Sequence, residues 1–228
     1  MGRRLSWEMC APSRFVLVLV LLGFSVLHSG CANPYTMNYH DMTSGKRVSE
    51  IPDVIPNSGA PRVLRGTDFH ADDVGYLEDG YVPIGYSDFY GDEADEGAAL
   101  EQAKKLNAAF VVLYDHRVDD SSEFGAKYWV KTKPRILGAI CVALPGTRKS
   151  EVPHESGVLV FAVVRDSPAS RAAIRRGDVI TRIGTDEVPD VPSYKRLIDR
   201  YAGQEVSIEF VREGQAHERS VTLLPRPY

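Results

Sequence analysis

Polar and apolar positions alternate with a period of two in some stretches of this chain and with a period near 3.6 in others. "EVSIEF" puts Val206, Ile208 and Phe210 on one side, and "SVTLLP" returns Val221 and Leu223 to that side. Glu213-Gly214 lies between the two runs, which predicts a closing β-hairpin. Tyr194, Leu197, Ile198 and Tyr201 fall at i, i+3, i+4 and i+7, with Asp190 as N-cap and Pro192 in the first turn, which predicts a helix. Upstream, "GVLVFAVV" and "GDVITRIG" read as strands on either side of a short helix, "SPASRAA". Ser167 can cap that helix, Pro168 pre-sets its φ, and Ala169 and Ala172 let it pack close to a sheet. Gly177-Asp178 then turns the chain into the strand that begins Val179-Ile180.

Residues 62–133 carry a second pattern, helix–strand–helix–strand–strand. "DVGYL" gives Val74 and Leu77 at i, i+3, and "GYVPIGYSDF" reads as a strand whose Pro83 requires an edge or a bulge. Residues 92–107 form the clearest helix of this part. Asp92, Glu93, Asp95 and Glu96 crowd its start, Lys104 and Lys105 its end, and Ala99, Ala103 and Leu106 form an inward stripe. "AAFVVLYD" is a buried strand and "AKYWVKTK" an alternating partner. The aromatics Tyr81, Tyr86, Phe89, Tyr90, Tyr114, Tyr128 and Trp129 serve as core or cross-strand pairs, or line a ligand surface. Between residues 31 and 61 no apolar period survives, and Pro34, Pro52, Pro56 and Pro61 are spread through a polar stretch; this predicts a flexible tether.

The N-terminus has the pattern of an export address. Three arginines precede "FVLVLVLLGFSVL", an apolar run suited to a signal-peptide h-region and too short to span a bilayer. Ser29-Gly30-Cys31 resembles the end of a bacterial lipobox, with His28 where leucine is usual and Leu27 one place further back. That resemblance implies lipidation of Cys31, a signal peptide over residues 1–30, and an anchor in the membrane. Ala32 after the cysteine implies the outer membrane by the enterobacterial sorting rules it resembles.

Charge and composition narrow the function. The 228 residues carry a net charge of −4, and residues 1–30 hold Arg3, Arg4 and Arg14 against Glu8, so the remainder carries −6. An acidic balance without a basic patch argues against nucleic acid as a partner. Cys10 leaves with the signal and Cys31 is taken by lipid, so Cys141 has no partner, and its apolar setting reads as a small buried hydrophobe. No cofactor motif or metal-ligand spacing occurs. His40, His70, His116, His154 and His217 stand alone outside any HExxH, "GYSDF" has Phe89 where GxSxG needs glycine, and the pattern predicts no strands flanking "PNSGAP". Residues 62–133 are too few for a trypsin-like double barrel. No small-molecule substrate is identified and no residue is assigned a catalytic role.

Two resemblances extend this reading. "GYVPIGYS", the alanine-rich helix and "FVVLYD", within residues 66–131, resemble the first half of a family of bacterial lipoproteins; that likeness implies no chemistry. Residues 134–228 resemble a PDZ domain of the bacterial, circularly permuted kind found in periplasmic serine proteases, here without the protease domain. "GVLVFAVV", "SPAS", "GDVI", the second helix and the hairpin come in that family's order. The resemblance implies a small β-barrel capped by two helices, so that the whole chain is α+β, a small α/β layer followed by that barrel. It also implies a groove for the C-terminus of another protein. In "RILGAI", Ile136, Leu137, Gly138 and Ala139 match the carboxylate loop and Ile140 the start of the pairing strand, while Tyr194 and Ile198 face the peptide from the helix. Ala139 stands where the family often has Ile or Phe, and Ala173 where it usually has glycine, at a helix end where φ > 0 is commonly needed. The expectation is a non-enzymatic, lipid-anchored protein of the cell envelope, facing the periplasm, that binds peptides or protein C-termini. A structural role through residues 62–133 and service as an adaptor for a separate protease remain open.

Overall fold

The structure, a computed structural model, describes residues 32–91, 95–118, 121–151 and 156–227. The signal peptide, Cys31 and the Asp92-Glu93 part of the expected helix start lie outside them.

The segment expected to be a tether is built into a sheet. Helix α1 (Pro34–Met37) is capped by Asn33, whose side chain accepts from Tyr35 N and Thr36 N. Strand β1 (Tyr39–Asp41) pairs antiparallel with the later strand around Tyr86, and β2 (Val54–Ile55) pairs with Thr132 and Lys131. Tyr35 is 0% exposed, edge-on to Phe89 at 4.9 Å, and its carbonyl accepts from Ser87 Oγ at 2.7 Å. Elements of two to four residues are too short to show an apolar period, which is why the stretch read as structureless.

Strand β3 (Arg62–Arg65) follows, then α2 (Asp73–Glu78), β4 (Tyr81–Gly91), α3 (Glu96–Lys105), β5 (Phe110–Val118) and β6 (Ser121–Thr132). The sheet order is β1-β4-β6-β5-β3, with β2 also on β6, and β3–β5 is its parallel pair. Pro83 lies inside central β4, and the register shifts by one residue between Pro83 and Gly85, the bulge that a central proline demands. One face packs Tyr35, Ala99, Ala103, Val111, Leu113 and Tyr128 under α1 and α3. The other packs Phe110, Val112, Tyr114 and Trp129 under α2. Strand β6 is therefore buried on both faces, contrary to simple alternation. Lys127 is 3% exposed, its Nζ donating to Asp73 Oδ1 at 2.6 Å and to Phe69 O at 2.5 Å.

The second sheet comprises β7 (Ala139–Ala143), β8 (Val158–Val163), β9 (Val179–Ile183), β10 (Asp186–Glu187), β11 (Glu205–Arg212) and β12 (Gln215–Thr222). Its order is β12-β11-β9-β8-β7 with β10 on β9, and β7 is a free edge. The sheet is open, so the expected barrel is corrected to a strongly mixed sheet-and-helix layer. Helix α4 (Pro168–Arg171) is capped by Ser167 accepting from Ser170 N, and α5 (Val191–Arg200) by Asp190 accepting from Ser193 N at 2.7 Å. Tyr194, Leu197 and Ile198 bury the expected stripe of α5 against Val206, Ile208 and Phe210. Ala173 closes α4 with φ +57, the left-handed turn expected to want glycine. Asp178, 1% exposed after Gly177, accepts from Arg212 Nε at 2.7 Å and Nη2 at 2.8 Å, a buried bidentate pair that fixes α4 to the hairpin. Residues from Asn33 onward form one compact unit, with Arg165 N donating to Glu78 O at 2.8 Å and the Arg165 side chain paired with Asp79 between the sheets. Among the described residues no helix is long and apolar enough to cross a membrane.

Candidate peptide-binding groove

Between the free edge of β7 and the side of α5 runs a groove of about 560 Å3. Ile136, Leu137, Gly138, Ala139, Ile140, Tyr194 and Ile198 all line it, so the chain brings the seven residues singled out from sequence to one place. The strand begins at Ala139, one residue before the expected Ile140.

The loop before β7 has its polar groups sorted. The carbonyls of Ile136, Leu137 and Gly138 turn inward and accept from Leu224 N, Ala169 N and Val164 N at 2.9, 2.9 and 2.8 Å. The N–H groups of Leu137 and Gly138 donate to no acceptor among the described residues, although both residues are buried. Buried donors without acceptors are costly unless a ligand or water takes them. Both residues line the groove, and adjacent N–H groups beside a cleft can receive an anion, above all a carboxylate.

Gly138 has φ +86, and a Cβ there would stand 2.2 Å from Ser167 Cβ and 2.4 Å from its Oγ. The glycine is thus demanded by α4 packing behind the loop as well as by the backbone, and not simply by a ligand's approach. Tyr194 Oη donates to Ala139 O at 2.7 Å, which ties α5 to the start of the edge strand and sets the groove's width. Burial, chiefly, pushes the Tyr194 hydroxyl well above its ordinary range. Burial likewise pushes the Cys141 thiol up to about 12, only partly offset by the neighbouring Tyr194, and Cys141 forms part of the groove wall.

Arg135, the first residue of "RILGAI", also lines the groove. Its Nε is buried without a partner, and burial holds the guanidinium below its usual pKa against the weaker opposing pull of Tyr194 and Asp53. Asp53 reaches the groove because Lys133 N donates to Asp53 O at 2.8 Å. No sequence signal marks that contact, since Asp53 belongs to the supposed tether. Lys195 and Asp199 add one charge of each sign on the α5 side.

An edge strand facing a helix, closed at one end by a loop with unspent N–H groups, is the arrangement of PDZ domains. Residues 145–223 match the PDZ domain family, and this part of the chain is similar to segments of bacterial proteases. The zinc metalloprotease RasP of Shouchella clausii (strain KSM-K16) is 38% identical over 58 residues, 25% of this chain and 14% of that protein. A probable periplasmic serine endoprotease DegP-like of Brucella suis biovar 1 (strain 1330) is 32% identical over 75 residues, 32% of this chain and 15% of that protein. Among solved structures, the HtrA3 PDZ domain bound to a phage-derived ligand is 20% identical with a TM-score of 0.34, covering 39% of this chain and 84% of that one. The chain spans about one-seventh of the length of these curated relatives, whose protease domains are not covered. What matches is a non-catalytic binding domain.

Proposed function

We propose that this protein is a non-catalytic peptide-binding module of the bacterial envelope, exported and lipid-anchored through Cys31, which reads the C-termini of other proteins. The observation that carries the reading is the pair of unspent N–H groups at Leu137 and Gly138, set at the end of a free strand edge. A bound peptide adds as a further strand on β7, and its terminal carboxylate takes both N–H groups. Its last side chain rests on Ile136, Tyr194 and Ile198. Arg135 contributes attraction for the same carboxylate. Placement in the periplasm is supported by the similarity to a probable periplasmic serine endoprotease and by the signal-like N-terminus.

The test is calorimetric titration of the purified chain with free-acid peptides and with the same peptides amidated. Micromolar binding that amidation weakens at least tenfold is expected. Equal binding of both forms, or none to a folded chain, overturns the carboxylate reading.

A further inference from the structure

Away from the groove, on the α2 face of the first sheet, lies a cavity of about 480 Å3. Its construction begins at the bulge. Val82 and Ile84 pack toward Tyr35 on the α1–α3 face, so an unbroken β4 would send Tyr86 and Asp88 the same way. The register shift between Pro83 and Gly85 reverses the parity: Ser87 and Phe89 now face Tyr35, while Tyr86 and Asp88 face the cavity. Bulges that re-aim side chains in this way recur beside functional sites.

The walls are aromatic and the floor is acidic. Phe69, Tyr86 and Tyr114 supply rings, and Asp88 and Glu123 come from neighbouring strands. Lys127 is the lining's only ammonium among the described residues, and it is spent. Its side chain is 4% exposed, its Nζ is 2.6 Å from Asp73, and it sits 3.8 Å over the Phe69 ring. The wall therefore already solvates one ammonium group by ring and carboxylate together. Counting Asp73, Asp88 and Glu123 against Lys127, the lining is left negative. Glu123 has no ion-pair partner among the described residues, and His40, 2.9 Å from Asp88, balances it only when protonated.

We infer that this cavity is a second binding site, for an organic cation: an ammonium or guanidinium group on a short apolar stem. Rings attract a desolvated cation through their quadrupole, carboxylates supply the charge, and the volume lies in the range of small-ligand sites. An anion meets uncompensated carboxylates and is excluded on charge.

The test uses the full chain and amide-resolved NMR. The probes are 1,5-diaminopentane and agmatine, with hexanoate and N-acetylglucosamine as anionic and neutral comparators. Both cations are expected to shift Gly125, Phe124 and Tyr86 amides saturably and to leave those of Leu137 and Gly138 in place. Glu123→Gln and Asp88→Asn are each expected to weaken cation binding by about fivefold, the effect of one partly exposed ion pair, without changing the thermal midpoint. If the neutral sugar saturates the site and the cations do not, or if neither variant changes cation affinity, the assignment is overturned. No saturable shift from any probe overturns the site itself.

Discussion

At the scale of single residues, a side chain's type states a requirement and its neighbours decide what meets it. Ala173 shows this most simply. The PDZ resemblance implies glycine at this helix end, alanine stands there, and the backbone goes to φ +57 regardless. The turn is held by Ile174 N donating to Ala169 O at 3.0 Å and by Arg212 Nη2 donating to Ala173 O at 2.9 Å. Strain of about 1 kcal/mol follows from a Cβ in that region. Ala173→Gly is therefore expected to raise the thermal midpoint by roughly 2–4 °C with peptide affinity unchanged; calorimetry checks the first and titration the second. Gly138 shows the complement. Its place in the loop was legible, but its reason was not, because Ser167 lies distant in sequence and only the folded chain puts it 2.2 Å from the missing Cβ.

At the scale of elements, what could be read ahead depended on length. The ten-residue α5 shows its stripe and caps, and the β11–β12 hairpin shows its alternation and its turn, where Glu213 and Gly214 both take positive φ. The Pro83 bulge was legible as a condition, since a proline in a long strand must lie at an edge or an irregularity. By contrast α1, β1 and β2 have four, three and two residues, and β3 has four. Such elements are specified by partners elsewhere in the chain, not by their own period. A chain that begins at residue 62 loses Tyr35, Val48 and Val54 from the first core. Removing a buried aromatic alone costs about 3–5 kcal/mol. The truncated chain is expected to unfold at a clearly lower temperature than one beginning at Asn33, by differential scanning calorimetry. Equal midpoints would restore the tether.

At the scale of the whole molecule, two sheets carry two different recesses. The groove of the PDZ domain is open along a strand edge and ends in backbone donors. The cavity of the first sheet is walled by side chains. The seven groove residues were legible because the family's order of elements places them, whereas Asp53 reaches Arg135 through the pairing of β2 with β6, a contact distant in sequence that no local pattern encodes. The central claim is that the groove's end receives a carboxylate on two particular N–H groups. The measurement that tests it most directly is the amide NMR spectrum of the chain at saturation with a free-acid peptide and with its amidated twin. The account predicts that the Leu137 and Gly138 amide protons move downfield with the acid and move far less with the amide. If peptide binds and those two resonances stay where they are, the carboxylate is held elsewhere and the account is wrong.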